Sequence, residues 1–233
     1  MMASGDVSAR RQLADLAADA KALQPWPIGP RLRAAEPARA AAVLVLFGVM
    51  DRLPADREAQ ARAVSRDLDV LLLARAATLS SHPGQVAFPG GRIDDEDDGP
   101  VAAALREAAE ETGLDPDGVD VLGVLEPLAI PVTGFVVTPV VGWWKRQSPV
   151  GVIDHAESAD VFRAPVAELL APQRRVTTRM RRDGRTWRGP GFLVASGGQE
   201  HLVWGFTALV LDRLFDALGW TEAWDRDRTL DLP

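Results

Sequence analysis

The chain has 233 residues, 47% of them hydrophobic and 25% charged, which suits one sizeable domain with a proper core and excludes wholesale disorder. A net charge of −7 argues against a general nucleic-acid binder, and the absence of cysteine excludes disulfides, thiolate metal sites and a cysteine nucleophile. The start, "MMASGDVSARRQLADLAADA", lacks the apolar run of a signal peptide, and Ala40 to Met50 is too short an apolar run to cross a bilayer as a helix. The default expectation is a cytoplasmic protein with neither nucleic acid nor membrane as partner.

In chain order, Leu13, Leu16, Ala20 and Leu23 recur at helical spacing within residues 9–23, so an amphipathic helix is expected there, broken by "QPWPIGP". "AAAVLVLFGV" and "VLLLARA" read as buried strands, and the polar "RLPADREAQARAVSRDLD" between them as a loop or short surface helix. Pro89, Gly90 and Gly91 then mark a loop before a helix that starts near Pro100 and ends at Gly113, a left-handed cap with Leu114 folding back. "VDVLGVLEPLAI", "GFVVTPVVGWW" and "ADVFRAPVAEL" continue the alternation of strand and loop. "MRRDGRTWRG" has the pattern of a hairpin around Asp183-Gly184. "WGFTALVLDRLFDAL" closes the order with a helix that presents Phe206, Leu209, Val210, Leu214 and Leu218 to a core. The class is α/β (α+β), organised as a helical arm over residues 1–36, a main domain over 37–222 and a tail over 223–233.

The informative stretch is "FPGGRIDDEDDGPVAAALREAAEETGL", Phe88 to Leu114. A helix places Glu107, Glu110 and Glu111 on one side, within roughly a third of its circumference. Their repulsion is only about 0.2–0.5 kcal/mol per exposed pair, so a solvated acidic face carries the same spacing without strain. For the glutamates alone the solvated face is the commoner reading, and what reverses it is the glycine-rich loop directly before the helix together with the full tail through Leu114. Hard carboxylate oxygens beside a backbone that can approach closely suit Mg²⁺ or Mn²⁺, which would bridge the protein to a phosphate group.

The tail Arg106, Glu107, Ala108, Ala109, Glu110, Glu111, Thr112, Gly113, Leu114 resembles the box of the Nudix hydrolases. Its five fixed positions arise by accident in about one chain in 10⁴ of this length. Upstream the pattern shifts by one residue. Arg92 stands where the family glycine falls, Gly91 comes one earlier, and an aspartate, Asp97 or Asp98, replaces the usual glutamate. The resemblance implies a Nudix fold, a mixed sheet sandwiched between helices, with Arg106, Glu107, Glu110, Glu111 and Glu157 as catalytic candidates. Glu107, Glu110 and Glu111, with the backbone of Gly91, would be the metal ligands, and one of these carboxylates or Glu157 would activate water.

"LLLARAATLSSHPGQVAFPGG", Leu71 to Gly91, is similar to the signature of the coenzyme A pyrophosphatase branch. Arg75, Gly84, Phe88, Gly90 and Gly91 are the substrate-side candidates, while Leu73 and Ser80 depart from the signature's threonine and second arginine. The implied reaction is hydrolysis of coenzyme A or its thioesters to 3′,5′-ADP and 4′-phosphopantetheine, or its acyl form. A pyrophosphatase of ADP-ribose, NADH or another nucleoside diphosphate derivative is the nearest alternative, and a Nudix-fold ligand sensor without turnover the more distant one.

Other residues carry weaker signals. "RRVTTRMRRDGR", Arg174 to Arg185, suits a phosphate or another polyanion, or a solvated face. Trp143 and Trp144 are neighbours on one strand, so one of them is expected in the core. His82 and His155 are isolated, and the apolar side of the N-terminal helix would suit a homodimer.

Overall fold

A computed structural model describes residues 8–24, 39–49, 68–78, 84–130, 134–182 and 184–232. The expected polar connection at 52–69 lies outside these residues up to 67, and Ser80 and His82 lie outside them too.

The apolar run at Arg39–Val49 becomes β1, which is buried on both faces and therefore reads as a continuous Val/Leu/Phe stretch. Around it, β2 (Leu68–Arg75), β3 (Val86–Ala87), β4 (Gly90–Arg92), β5 (Val119–Val124), β6 (Leu128–Ile130), β7 (Phe135–Trp144) and β8 (Ser158–Pro165) complete a mixed sheet. β1 runs parallel to β7, from Arg39↔Phe135 to Phe47↔Trp143, and antiparallel to β2 at Phe47↔Val70. β4 pairs with the opposite end of β1, Ala42 facing Gly91, and β8 lies antiparallel to β2.

Helix α1 (Ala9–Ala17) precedes the sheet, and α2 (Pro100–Thr112) crosses one of its faces. The short α3 (Val166–Leu170) leads to a second sheet of β9 (Arg175–Arg182), β10 (Arg185–Ser196) and β11 (Gln199–Val203), after which comes α4 (Gly205–Ala217). This sheet has the order β11-β10-β9-β12, and β12 (Thr229–Asp231) runs parallel to β9 within the segment expected as a tail.

Two cores result. Ala42, Leu44, Leu46, Leu71 and Val140 pack under α2, whereas Val45, Phe47, Val70 and Leu72 face α1, α4 and the second sheet. Trp144 is buried in the first core and Trp143 packs half-buried against the second, as strand alternation requires. On α4, Val210 and Leu214 are buried as the spacing predicts, and Leu211 and Phe215 widen the apolar face.

The first helix is shorter than its sequence pattern. It stops at Ala17, and the Asp19 side chain accepts the Lys21 N–H at 2.9 Å, a local turn that competes with another helical turn. Leu23 is still buried, reached through that turn, while Ala20 is exposed. Among the described residues no helix is long and apolar enough to cross a membrane.

Candidate active site

Helix α2 sets the geometry. Pro100 occupies its first turn, where the missing N–H is no loss, and Gly113 closes it with φ +73°. Ala103, Ala104 and Ala108 are fully buried against the sheet, and side chains this small seat the helix close to β1 and β4. Glu107 and Glu111 then overhang β4. The Gly90 N–H donates to Glu111 Oε2 at 2.9 Å.

The two loop glycines are there for space. A Cβ at Gly91 would stand 2.4 Å from Glu107 Cδ, so the carboxylate lies directly on the glycine backbone. One at Gly90 would stand 2.3 Å from the Ala42 carbonyl oxygen, which is the close approach that brings β4 onto β1.

Arg106 ties the loop to the helix. Its Nε and Nη2 donate to the two oxygens of Asp97 at 3.0 and 2.8 Å, a bidentate pair, and Nη2 also reaches the Arg92 carbonyl at 3.1 Å. Nη1 donates to Glu107 Oε1 at 3.1 Å and Glu110 Oε2 at 3.2 Å. The sequence left Asp97 and Asp98 as equal candidates for the upstream acid, and the loop turns Asp97 inward. The hydrogen bonds from Arg106 hold its carboxyl down at about 2. Asp94, 3.5 Å from Arg106, completes the clamp and was missed, since only the loop's turn brings it within reach.

Glu107 and Glu111 stand differently. Burial raises both carboxyls. Glu111 is pushed up to about 7, with the Gly90 N–H and the Arg75 charge opposing the rise and the charges of Glu107 and Glu157 adding to it. Arg75, on the strand facing α2, keeps a buried Nε that has no hydrogen-bond partner among the described residues. Glu157 lies at the exposed end before β8, where its carbonyl accepts from the Ala76 N–H at 2.9 Å.

Three expectations need correction or narrowing. Phe88, one residue past the end of β3, is 2% exposed and packs in the core on the side away from α2, so its ring offers no substrate surface. Glu110 is expected with the other two glutamates but is 60% exposed and turned to Arg106. Gly84 forms an exposed turn beside β2, its N–H donating to the Arg75 carbonyl at 3.2 Å. His155 is exposed in the loop ahead of Glu157.

Among the described residues no three acidic or histidine side chains stand close enough to grip an ion in the conformation seen. The donor chemistry nonetheless fits a divalent cation. Glu107 lies directly on the Gly91 backbone and Glu111 accepts from the Gly90 N–H, so hard carboxylate oxygens converge beside a loop that admits close approach, and the charges of Glu107 and Glu157 both act on Glu111.

Residues 57–182, just over half the chain, match the profile of the NUDIX domain. The chain is 45% identical over 153 residues to the uncharacterized Nudix hydrolase NudL of Cronobacter sakazakii, covering 64% of this chain and 75% of the relative. Against the protein of the same description from Escherichia coli it is 41% identical over 150 residues, with the same coverage. The fold is similar to the crystal structure of RenU, a Nudix hydrolase from M. smegmatis, with a TM-score of 0.50 at 18% identity, covering 81% of this chain and 91% of that one.

Proposed function

Because the chain belongs to the Nudix family, whose hydrolases act on diphosphate bonds and generally use divalent metal ions, we propose that it hydrolyses the diphosphate of coenzyme A or its thioesters. The observation that carries this is the position of Arg75. The one arginine of the coenzyme A-like segment that this chain retains faces α2, its charge acts on Glu111, and its buried Nε awaits an acceptor such as a phosphate oxygen.

Glu107 and Glu111, with Glu110 once released from Arg106, would hold Mg²⁺ or Mn²⁺ against the backbone of Gly91. When bound, the ion supplies charge neutralisation on the phosphoryl oxygens and acidifies a water ligand. The chain's residues do the rest. Water adds to one phosphorus, the bridging P–O bond breaks, and a carboxylate among Glu107, Glu111 and Glu157 accepts the water proton, leaving two phosphomonoesters. Arg106 acts as a positioning residue, fixing Glu107 relative to the loop through Asp97. Arg75 meets the substrate's phosphates.

A second reading has its own support. Ser80 stands where the coenzyme A signature has an arginine, and the loss of that contact favours a substrate with fewer phosphates, such as ADP-ribose or NADH. Product analysis separates the two. The protein, with Mg²⁺ or Mn²⁺, is incubated with coenzyme A, acetyl-coenzyme A, ADP-ribose and NADH, and the products are resolved by mass. Selective formation of 3′,5′-ADP supports the first reading, and preferential cleavage of ADP-ribose or NADH replaces it with the second.

A further inference from the structure

The whole-chain charge hides a local one. Residues 174–188 contain seven arginines against a single aspartate, a net +6, which leaves −13 on the rest of the chain. Several of these arginines are spoken for at the base of the hairpin. Arg175 is buried against Asp212, Arg174 reaches Glu200 at 2.7 Å, and Arg179 is paired with Asp231 at 2.7 Å. Arg181 feels the charge of Asp231 at a distance, but neither it nor Arg188 is in an ion pair among the described residues, and both are exposed.

The hairpin also outruns its neighbours. β11 pairs with β10 only from Phe192 to Ser196, and β12 pairs with β9 only from Thr177 to Arg179. Met180 to Arg182 and Arg185 to Trp187 therefore form a ribbon two strands wide, with no third strand beside it among the described residues. The register places Arg188 opposite Arg179 and Thr186 opposite Arg181 on one face, and Trp187 opposite Met180 on the other. Trp187 is 45% exposed, and among the described residues the other exposed large apolar side chains, Val49, Val121 and Ile153, lie elsewhere.

We propose that this ribbon is a docking surface for single-stranded nucleic acid, its phosphates pairing with Arg181 and Arg188 and a base stacking on Trp187. One exposed aromatic ring supplies too little apolar area to enter a lipid surface, but it is a complete platform for a base. The planar guanidinium fork matches phosphate oxygens. Arg181 and Arg188 lie on one face and Trp187 on the other, so a flexible single strand would contact the ribbon by passing over its free edge. The net +6 of this segment, against −13 on the rest of the chain, gives the ribbon the sign that a polyanion requires.

The test is fluorescence anisotropy of a labelled oligouridylate with the full chain at several salt concentrations. Binding should weaken with salt, and R181Q/R188Q should lower the log–log slope by about 1.4, two phosphates at roughly 0.7 each. Trp187→Leu should weaken binding about 5- to 150-fold with little change in slope. Unchanged thermal midpoints in both variants would show that the fold is intact. No binding at low salt, wild-type binding by both variants, or tighter binding to anionic phospholipid vesicles than to the oligomer would each overturn the proposal.

Discussion

Replacing Gly91 by alanine should silence the enzyme without unfolding it. The new Cβ would meet Glu107 Cδ at 2.4 Å and both carboxylate oxygens at 2.5 Å. Ordinary carbon contacts begin at about 3.5 Å, so the carboxylate must retreat by about 1 Å. It is the far end of a flexible side chain, so retreat is cheap. The position needs no left-handed backbone, and alanine even restricts the unfolded chain, which is worth up to ~1 kcal/mol in the mutant's favour. Displacing a group that holds the reacting centre by that distance costs a rate factor of about 10². Gly90→Ala makes the control. Its Cβ would strike backbone, the Ala42 carbonyl oxygen at 2.3 Å and Val43 Cα at 2.6 Å, at a φ of +151°. That should cost about 3 kcal/mol, a fall of roughly 10 °C in a domain of this size. Turnover and thermal unfolding measured on both proteins decide the matter. If Gly91→Ala retains activity within a few-fold of wild type, Glu107 does not work where it stands.

Asp97→Asn should lower kcat about tenfold by loosening Arg106. Asp97 titrates near 2 in the fold, below its ordinary 3.8, so its contribution to stability is present above about pH 4 and fades as pH falls toward 2. The stability gap between wild type and Asp97→Asn should close over that window in thermal unfolding, and a constant gap would contradict the clamp. Asp69, 1% exposed beside Arg163, has the opposite sign, since burial lifts its carboxyl from 3.8 to about 6 against the pull of Arg163. Wild type should lose stability relative to Asp69→Asn as pH rises from about 4 to 6, by at most ~3 kcal/mol. Denaturant titrations across that range check it, and parallel curves would refute it. Arg75→Gln should reduce kcat/KM for the preferred diphosphate by about 10²-fold, and unchanged steady-state kinetics would remove Arg75 from the substrate side.

The helix and its glutamates were legible in the sequence because both rest on local rules. The proline start, the glycine cap and the 3.6-residue period need no knowledge of the rest of the chain. The choice between Asp97 and Asp98 was not legible, since it depends on how an irregular loop turns onto Arg106. Glu110 looked equivalent to Glu107 by spacing and differs only because the helix lies with its alanine stripe on the sheet, which leaves position 110 in solvent. Phe88 reads as part of a substrate signature, but the short connection from β3 to β4 sends the ring into the core. The β9–β10 hairpin followed from the Asp183-Gly184 pair, whereas its parallel partner β12 joins residues some fifty positions apart and leaves no local mark.

The most direct test of the central claim is an initial-rate assay of wild type and Glu111→Gln on the preferred diphosphate, with Mg²⁺ and with a chelator, products resolved by mass. Glutamine still accepts the Gly90 N–H, so the fold should hold while the charge is lost. Cleavage should fall by about 10³-fold or more in the variant and vanish on chelation, with melting unchanged. Turnover surviving either change near the wild-type rate would contradict a hydrolase built on these carboxylates.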